Sequence, residues 1–224
     1  MIYVTGDIHG AKEFNKRIFK LNLQPDDILI VMGDFGMPWI QDGTEKYVLQ
    51  KLSEMPWTVA FIDGNHENFR LLNSYPEVVW RGGLTHQILP NLYHMIRGEV
   101  FNLDGNICLA AGGADSIDKA YRMPYVSWWP EEIWNALETN KIYRAATYIP
   151  IDYVFAHTAP KSIVQTLLKQ SNWRQFEYKD PVSDTMEQMD IPFTKQWYFG
   201  HFHIDLRITN KHRCLYKDVI LLGE

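Results

Sequence analysis

The sequence has 224 residues, a net charge of −5 and 46% hydrophobic residues, which is enough for one substantial hydrophobic core. The acidic balance, without any Lys/Arg-rich stretch, excludes the basic surface typical of non-specific binding to nucleic acid or anionic membranes, although not a nucleic-acid substrate. Charged or polar residues interrupt every apolar run before it reaches the roughly 18 residues of a membrane-spanning helix. We therefore expect a single domain over residues 1–224, with no strong nucleic-acid footprint and no membrane partner.

The two cysteines are expected to be free thiols. Cys108 and Cys214 lie in apolar runs far apart in the sequence, as buried cysteines of a reducing compartment do. The chain starts on a predicted strand at residues 1–6 rather than on a basic, apolar and cleavable leader. A cytoplasmic protein is therefore expected.

Five short apolar runs end abruptly, and a polar residue follows each of them. They span residues 2–6, 28–33, 59–64, 153–156 and 197–200. Stretches of helical character at residues 11–21 and 44–55 separate the first three runs, and this spacing is typical of strand-helix-strand crossovers with parallel pairing. The pattern predicts an α/β or α+β fold.

The middle and the end of the chain show a different pattern. Residues 85–111 alternate short apolar groups with tight-turn pairs, which predicts consecutive antiparallel strands in a second, mixed sheet. Residues 204–222 also alternate in strand fashion, with turn chemistry at Asn210, and are expected to complete that sheet. The tryptophan-rich residues 124–134 are interpreted as a packed excursion near the site, and the polar residues 170–192 as a mobile flap or a surface helix.

The five predicted strands present oxygen and imidazole donors at their carboxyl ends. Ligands of open α/β sheets bind outside this edge, so these side chains are expected to converge. Mixed carboxylate and imidazole sets suit divalent transition metals such as Mn, Fe or Zn, whereas cysteine-rich sets favour structural zinc. The candidate donors are Asp7, His9, Asp34, Asn65, His66, His157, His201 and His203.

The spacing of these donors has a geometric reason. In the Asp-x-His motif at residues 7–9 and the His-x-His motif at residues 201–203, both donors lie on one side of an extended segment while the residue between them packs inward. Glycine permits the tight turns and close backbone approach that such a site needs. The glycines that stand directly before a donor are Gly6, Gly33, Gly64 and Gly200.

In this order, the motifs resemble the signature of the calcineurin-like metallophosphoesterase superfamily: DxH, a variant of GDxxG, GNHE, a lone His and GHxH. The resemblance runs from Asp7 to His203, which is nearly the whole chain. It implies a four-layer αββα sandwich with two mixed β-sheets. It also implies two divalent metal ions at the carboxyl ends of the strands and attack of a metal-bridging hydroxide on a phosphate ester.

The resemblance implies a role for each matching residue. His66 is implied as the catalytic imidazole, which protonates the leaving group. The implied metal ligands fall into two sets with one bridging carboxylate: Asp7, His9 and His203 for the first ion, Asn65, His157 and His201 for the second, and Asp34 between them.

The second motif departs from the Ser/Thr protein phosphatase branch, which resembles GDxVDRG at this point. Met37 and Pro38 stand where that branch has an Asp paired with the catalytic His and an Arg that clamps phosphate. Asp63 replaces the Arg that often precedes GNHE, and its charge is expected to repel an anionic phosphate. A phosphoprotein phosphatase is therefore disfavoured, although Gly10 after the first motif does resemble that branch.

Another group is expected to contact the substrate, and residues 112–122 are the best candidate. Two glycines followed by Ser116, Lys119 and Arg122 can present backbone amides and cations to a phosphate, with Arg suited to bidentate contact. The alternative is a solvated loop and helix.

Several aromatic residues allow two interpretations. They stack a nucleobase at the mouth of a pocket, or they pack in the core or at its rim. These residues are Trp39, Tyr125, Trp128 and Trp129.

The leading hypothesis is therefore a dinuclear metal-dependent hydrolase of a phosphomonoester or phosphodiester, acting on a small molecule or a nucleotide. A metal-dependent nuclease is the alternative, and a phosphoprotein phosphatase or a non-catalytic metal-binding scaffold is less favoured. The sequence leaves open the natural substrate, the metal identity and the oligomeric state.

Overall fold

The computed structural model describes residues 1–171, 177–189, 191 and 194–224. This part of the chain forms strands and α-helices that are numbered separately in chain order. The strands are β1 (Ile2–Thr5), β2 (Ile28–Met32), β3 (Thr58–Ile62), β4 (Glu77–Trp80), β5 (Gly83–Leu89), β6 (Leu92–Met95), β7 (Val100–Leu103), β8 (Asn106–Ala111), β9 (Tyr153–Ala156), β10 (Gln196–Phe199), β11 (Leu206–Arg207), β12 (His212–Cys214) and β13 (Val219–Leu221). The helices are α1 (Ala11–Arg17), α2 (Gly43–Ser53), α3 (Phe69–Leu72), α4 (Ala136–Tyr148), α5 (Lys161–Gln170) and α6 (Pro181–Met186).

The strands form two mixed sheets. The first has seven strands in the order β13-β1-β2-β3-β6-β5-β4, and β1, β2, β3 and β6 run parallel. The second has six strands in the order β11-β12-β10-β9-β8-β7, with β8, β9, β10 and β12 parallel. Antiparallel strands lie at the edges of both sheets. The expectation of two mixed sheets is confirmed.

The side chains of β2 alternate between two cores. Ile28, Ile30 and Met32 pack between the two sheets, whereas Leu29 and Val31 pack on the outer face with residues of α1 and α2. Strand β8 alternates in the same way between the central core and a third core that includes residues of α4, α5 and α6. The layers are therefore helix, sheet, sheet and helix, and the four-layer αββα sandwich is confirmed.

Helices α2 and α4 begin at capping residues that the sequence provides. Asp42 accepts a hydrogen bond from the Glu45 amide at the start of α2. At the start of α4, Asn135 accepts from the Glu138 amide while the Glu138 carboxylate accepts from the Asn135 amide. Such reciprocal capping satisfies two amides that have no partner within the helix.

The prediction for residues 85–111 is wrong in one respect. These residues do form antiparallel pairs, β5 with β6 and β7 with β8. However, the first pair lies in the first sheet and the second pair lies in the second sheet. The end of the chain also divides, because β11 and β12 extend the second sheet while β13 pairs with β1 in the first. Hydrogen bonding between distant segments decides this division, and local alternation does not encode it.

Residues 124–134 pack against the sandwich only in their second half, because residues 124–126 are exposed. Trp129 is buried, and the indole N–H of Trp134 donates to the carbonyl of Gly112. Of the polar residues 170–192, residues 181–186 form helix α6, whereas 172–176, 190 and 192 lie outside the described residues. Cys108 and Cys214 are buried free thiols, as predicted. No helix within the described ranges has both the length and the hydropathy of a membrane span.

Candidate metal centre

The predicted donors follow strands of both sheets and meet where those strands end. Asp7, Asp34 and Asn65 follow β1, β2 and β3 of the first sheet, whereas His157 and His201 follow β9 and β10 of the second. Parallel strands place their carboxyl ends at one edge. The two stacked sheets therefore bring donors from distant parts of the chain to one place.

The first group of donors surrounds Asp7. The ligand atoms of Asp7, His9 and His203 lie within 4.8 Å of one another. The Nε2 atoms of His9 and His203 lie 3.7 and 3.2 Å from Asp7 Oδ2 and only 2.8 Å from each other. Two imidazoles and a carboxylate thus point at a common centre.

The second group lies around His157. Its Nε2 lies 3.2 Å from Asp34 Oδ1 and 3.1 Å from Asn65 Oδ1, and the His201 ring is 5.0 Å away between ring centroids. Asp34 connects the two groups, because its Oδ2 lies 3.8 Å from His9 Nε2. The structure therefore brings together all seven residues that the sequence predicts as metal ligands.

Two observations show that this donor set fits a cation. Asp7 is fully buried, and its Oδ2 accepts no hydrogen bond among the described residues, with the imidazole of His203 3.2 Å away, an arrangement that is unfavourable for a carboxylate without a compensating charge. The Nδ1 of His157 lies 2.8 Å from the carbonyl oxygen of Met32. Because a carbonyl only accepts, Nδ1 carries a proton, and Nε2 is the ring atom that faces the other donors and that a cation could bind after losing its own proton.

The backbone holds these carboxylates and imidazoles in uncommon conformations. His9, Asp34, His201 and His203 all have positive φ, between 49° and 69°, a region that costs a non-glycine residue of the order of 1–3 kcal/mol. Backbone amides also fix the carboxylates, since His66 N donates to Asp34 and His201 N donates to Asp7. Strain gathered on four donors of one cluster is typical of a functional site.

Glycines precede the donors because the space beside them is already filled. A Cβ on Gly64 would overlap Asp34 Oδ1, one on Gly33 would overlap the ring of His157, and one on Gly200 would overlap Asp7 Oδ1. Each of these glycines therefore makes room for a donor from another motif. This confirms the close approach that the sequence predicts.

Burial and mutual charge set opposing pKa shifts in the cluster. Burial alone would raise the pKa of Asp34, but the positive charges of His157, His66 and His9 hold it well below its ordinary value. Burial lowers the pKa of His157, yet the attraction of Asp34 outweighs it and raises this pKa to about 10. Burial, together with the charge of His157, lowers the pKa of His201 to about 3. A cation that binds His157 must therefore displace a proton from it.

His66 lies beside the donor cluster and in contact with the guanidinium of Arg122. Its ring centroid is 5.2 Å from that of His9. The guanidinium of Arg122 spans the ring, with Nη2 2.9 Å from Nε2 and Nη1 3.2 Å from Nδ1. Burial lowers the pKa of His66, and the charge of Arg122 lowers it further against the opposing pull of Asp34. The net effect is a pKa below the ordinary value of histidine.

The other two predicted substrate contacts occupy different places. Ser116 is buried, and its Oγ accepts a hydrogen bond from Asn65 Nδ2 at 3.0 Å. Lys119 is exposed, and its ammonium pairs with Asp115 at 2.7 Å. Of the three, Arg122 lines the cavity beside the donor cluster, so it is the one placed to contact a substrate directly.

Asp63 does not act as the sequence suggested. It is buried, and its Oδ2 accepts from Nε and Nη2 of Arg97 at 2.7 and 2.5 Å. The negative charge is therefore neutralised within the protein, and its repulsion of a phosphate was wrongly expected. Arg97 lies 34 residues further along the chain, and no local signal connects the two.

Two buried glutamates near the site were also missed. Glu67 accepts from the amides of Phe35 and Gly36 at 2.8 and 3.1 Å, so it ties the third motif to the second. Glu132 accepts from the Ser116 amide at 3.2 Å, and burial raises its pKa to about 7. Glu67 stands in the GNHE motif itself, which was a signal, whereas nothing in the sequence marks Glu132.

A cavity of about 260 Å³ opens beside the donor cluster. Its size is close to the lower end of ligand pockets for small molecules. Trp129 does not line it, because this residue is buried and packs edge-on against Trp39 at 5.1 Å, as the packing interpretation expects. The lining residues are Asp34, Asn65, His66, Ile117, Asp118, Arg122, Leu167, Leu168, Tyr178, His201, Phe202, His203 and Ile204.

Comparison with known proteins agrees with the geometry. A family model described as calcineurin-like phosphoesterase matches residues 1–205. The matched range contains every donor described above, from Asp7 to His203. No curated protein matches the chain at a significant level.

Proposed function

The chain belongs to the calcineurin-like phosphoesterase family, and from this premise we propose that it is a dinuclear metal-dependent hydrolase of a phosphoric ester. The observation that supports this most directly is the fully buried carboxylate of Asp7, which lies between two converging donor groups and whose Oδ2 has the imidazole of His203 3.2 Å away but accepts no hydrogen bond among the described residues. A single carboxylate, Asp34, lies within reach of both groups. This is the arrangement that two neighbouring cations require.

The proposed ligands are those that the sequence motifs indicate. Carboxylate, amide and imidazole donors suit Mn, Fe or Zn. Two such ions, when bound, supply a nucleophile at neutral pH and neutralise the oxygens of the phosphoryl group. In this assignment, Asp7, His9 and His203 hold one ion, Asn65, His157 and His201 hold the other, and Asp34 lies between them.

His66 is proposed to move the proton of the reaction. It lines the cavity and is adjacent in sequence to Asn65, so a phosphoryl group held at the donors lies next to its ring. Donation of a proton to the departing alkoxide is typically worth 10²–10⁴-fold in rate. The amide of His66 donates to Asp34 at 2.7 Å, which fixes the backbone that carries the imidazole.

Arg122 is proposed to bind the phosphoryl group and to keep His66 in place. Its Nε pairs with Asp118 at 2.8 Å, and its two terminal nitrogens lie 2.9 and 3.2 Å from the ring nitrogens of His66. Nη2 carries a second N–H group that can donate to a phosphate oxygen while the guanidinium stays against the ring. A cavity of about 260 Å³ favours a small-molecule or nucleotide ester over a macromolecular one.

Metal removal and replacement test this proposal. The protein is stripped with a chelator, restored with Mn, Fe(II), Zn or Mg separately, and assayed on p-nitrophenyl phosphate and bis-p-nitrophenyl phosphate. We expect turnover to return with a transition metal and to be lost in Asp34→Asn, because the variant removes the charge that both cations share. The preferred ester distinguishes a monoesterase from a diesterase.

Two other results would change the assignment. Failure to bind metal, or equal turnover by Asp34→Asn, contradicts the dinuclear mechanism. Hydrolysis confined to oligonucleotides, with binding that weakens steeply as salt rises, instead supports the nuclease.

A further inference from the structure

The described residues that line the cavity beside the donor cluster fall into two chemically different sets. One set comprises four of the proposed metal ligands, His66 and the pair formed by Asp118 and Arg122. The other set, called the apolar side, consists of side chains that present hydrocarbon or an aromatic ring. These are Ile117, Leu167, Leu168, Tyr178, Phe202 and Ile204.

The apolar side is built from separate parts of the chain. Leu167 and Leu168 come from the last turns of α5 and belong to the core under the second sheet, against which Phe202 and Ile204 pack. Ile117 belongs to the segment between β8 and α4, and 63% of it is exposed. The side chain of Ile117 is therefore accessible to a ligand in the cavity.

Tyr178 lines the cavity, and its hydroxyl is engaged within the protein. The hydroxyl donates to Asp180 Oδ2 at 2.6 Å and lies 3.0 Å from the Thr158 hydroxyl. The ring makes edge contacts with His201 and Phe202, at 5.8 and 5.3 Å between centroids. Its polar group is thus already engaged, and the surface left for a ligand is aromatic.

These observations indicate the chemical character of the organic group that is esterified to phosphate in the substrate. Binding energy follows the apolar area removed from water, and ligand pockets combine an apolar lining with a few polar groups that orient the ligand. A polyol or inorganic phosphate would leave this apolar surface exposed to water. We propose that the substrate is a phosphate ester of an apolar alcohol, with the phosphoryl group at the donors and an alkyl or aryl group against the apolar side.

This inference rests on the proposed function, and a substrate series tests it. The metal-restored protein is given ethyl, butyl and hexyl phosphate, and the corresponding alkyl p-nitrophenyl diesters. Within each series the basicity of the leaving group stays nearly constant. The main change is therefore the apolar area of the alkyl group. We expect kcat/KM to rise roughly two- to fourfold for each buried methylene, until the cavity is filled.

A pair of isoleucine variants locates the effect. Ile117→Ser removes an apolar contact from the cavity and is expected to flatten the dependence on chain length. Ile40→Ser is the matched control, because Ile40 is 68% exposed and lies in the turn before α2. It is expected to keep the wild-type dependence.

Binding of non-hydrolysable alkylphosphonates provides a second readout by calorimetry. Affinity that rises from ethyl- to hexylphosphonate, with an increasingly negative heat-capacity change, supports the apolar side as the binding surface. Equal kcat/KM and equal affinity across the series overturn this inference while turnover itself upholds the proposed function. A dependence on chain length that Ile117→Ser retains in full also overturns it. Absence of turnover on every ester, with phosphonates still bound in order of chain length, overturns the proposed function instead.

Discussion

At the scale of single residues, the site depends on groups that orient the proposed ligands as well as on the ligands. Asn65 has one amide oxygen and one amide nitrogen, and only the oxygen can bind a cation. The nitrogen donates to Ser116 Oγ, while the Ser116 amide donates to the buried Glu132. Ser116 and Glu132 therefore decide which end of the Asn65 amide faces His157.

Ser116→Ala should weaken metal binding without unfolding the protein. Loss of the acceptor leaves Asn65 Nδ2 unpaired and free to turn, and loss of such an orienting contact typically costs 10–100-fold in metal affinity. Competition with a chromophoric chelator measures the affinity. Ser74→Ala is the matched control, because the Ser74 hydroxyl is exposed and donates to the carbonyl of Leu71. Equal affinities in both variants would contradict an orienting role for Ser116.

At the scale of elements, the conformation of the turns after the strands fixes the positions of the donors that they carry. Gly64 ends the turn after β3 and lies directly against Asp34 Oδ1. Asp34 itself ends the turn after β2 with a φ of 49°. Neither turn can move without moving the carboxylate that the two donor groups share.

Gly64→Ala should therefore abolish binding of at least one metal ion, because the added methyl group displaces Asp34. Metal content per chain after reconstitution measures the effect. Gly43→Ala serves as the control, since a Cβ there meets nothing within 4 Å and alanine in the first turn of α2 is favoured over glycine by up to about 1 kcal/mol. A Gly64→Ala protein with its full metal content would show that the turn is adaptable.

At the scale of the whole molecule, the site exists only because two sheets stack. Strands of the first sheet supply Asp7, Asp34 and Asn65, and strands of the second supply His157 and His201. The buried pair of Asp63 and Arg97 lies close to this junction, since Asp63 is two residues before Asn65. His94 Nε2 lies 3.2 Å from the same carboxylate.

Asp63→Asn should lower the free energy of unfolding by about 3 kcal/mol, because it leaves Arg97 buried with a weakened partner. Glu138, 3.4 Å from Arg97, limits the loss. Urea denaturation measures it. Asp104→Asn breaks the exposed pair with Arg81 and is expected to cost less than about 1 kcal/mol. A similar decrease in the free energy of unfolding of both variants would contradict a larger contribution from the buried Asp63 pair.

The sequence alone determined the candidate donors, their order and the fold class. Alternation with a period of two and the residue after each strand are local properties, so Asp7, Asp34 and Asn65 could be placed at strand ends without coordinates. The glycines before them predicted close approach for the same reason. The convergence of seven donors follows from a general property of parallel sheets.

Only the tertiary structure decided which distant groups meet. Residues 85–111 look like one run of antiparallel strands, yet pairing divides them between two sheets. Asp63 looks like a charge facing the substrate, yet it pairs with Arg97. Glu132 and the apolar side of the cavity carry no local mark at all. The physical reason is common to all of these: a side chain's partner depends on packing between segments far apart in the chain, whereas periodicity and turn chemistry depend only on neighbours.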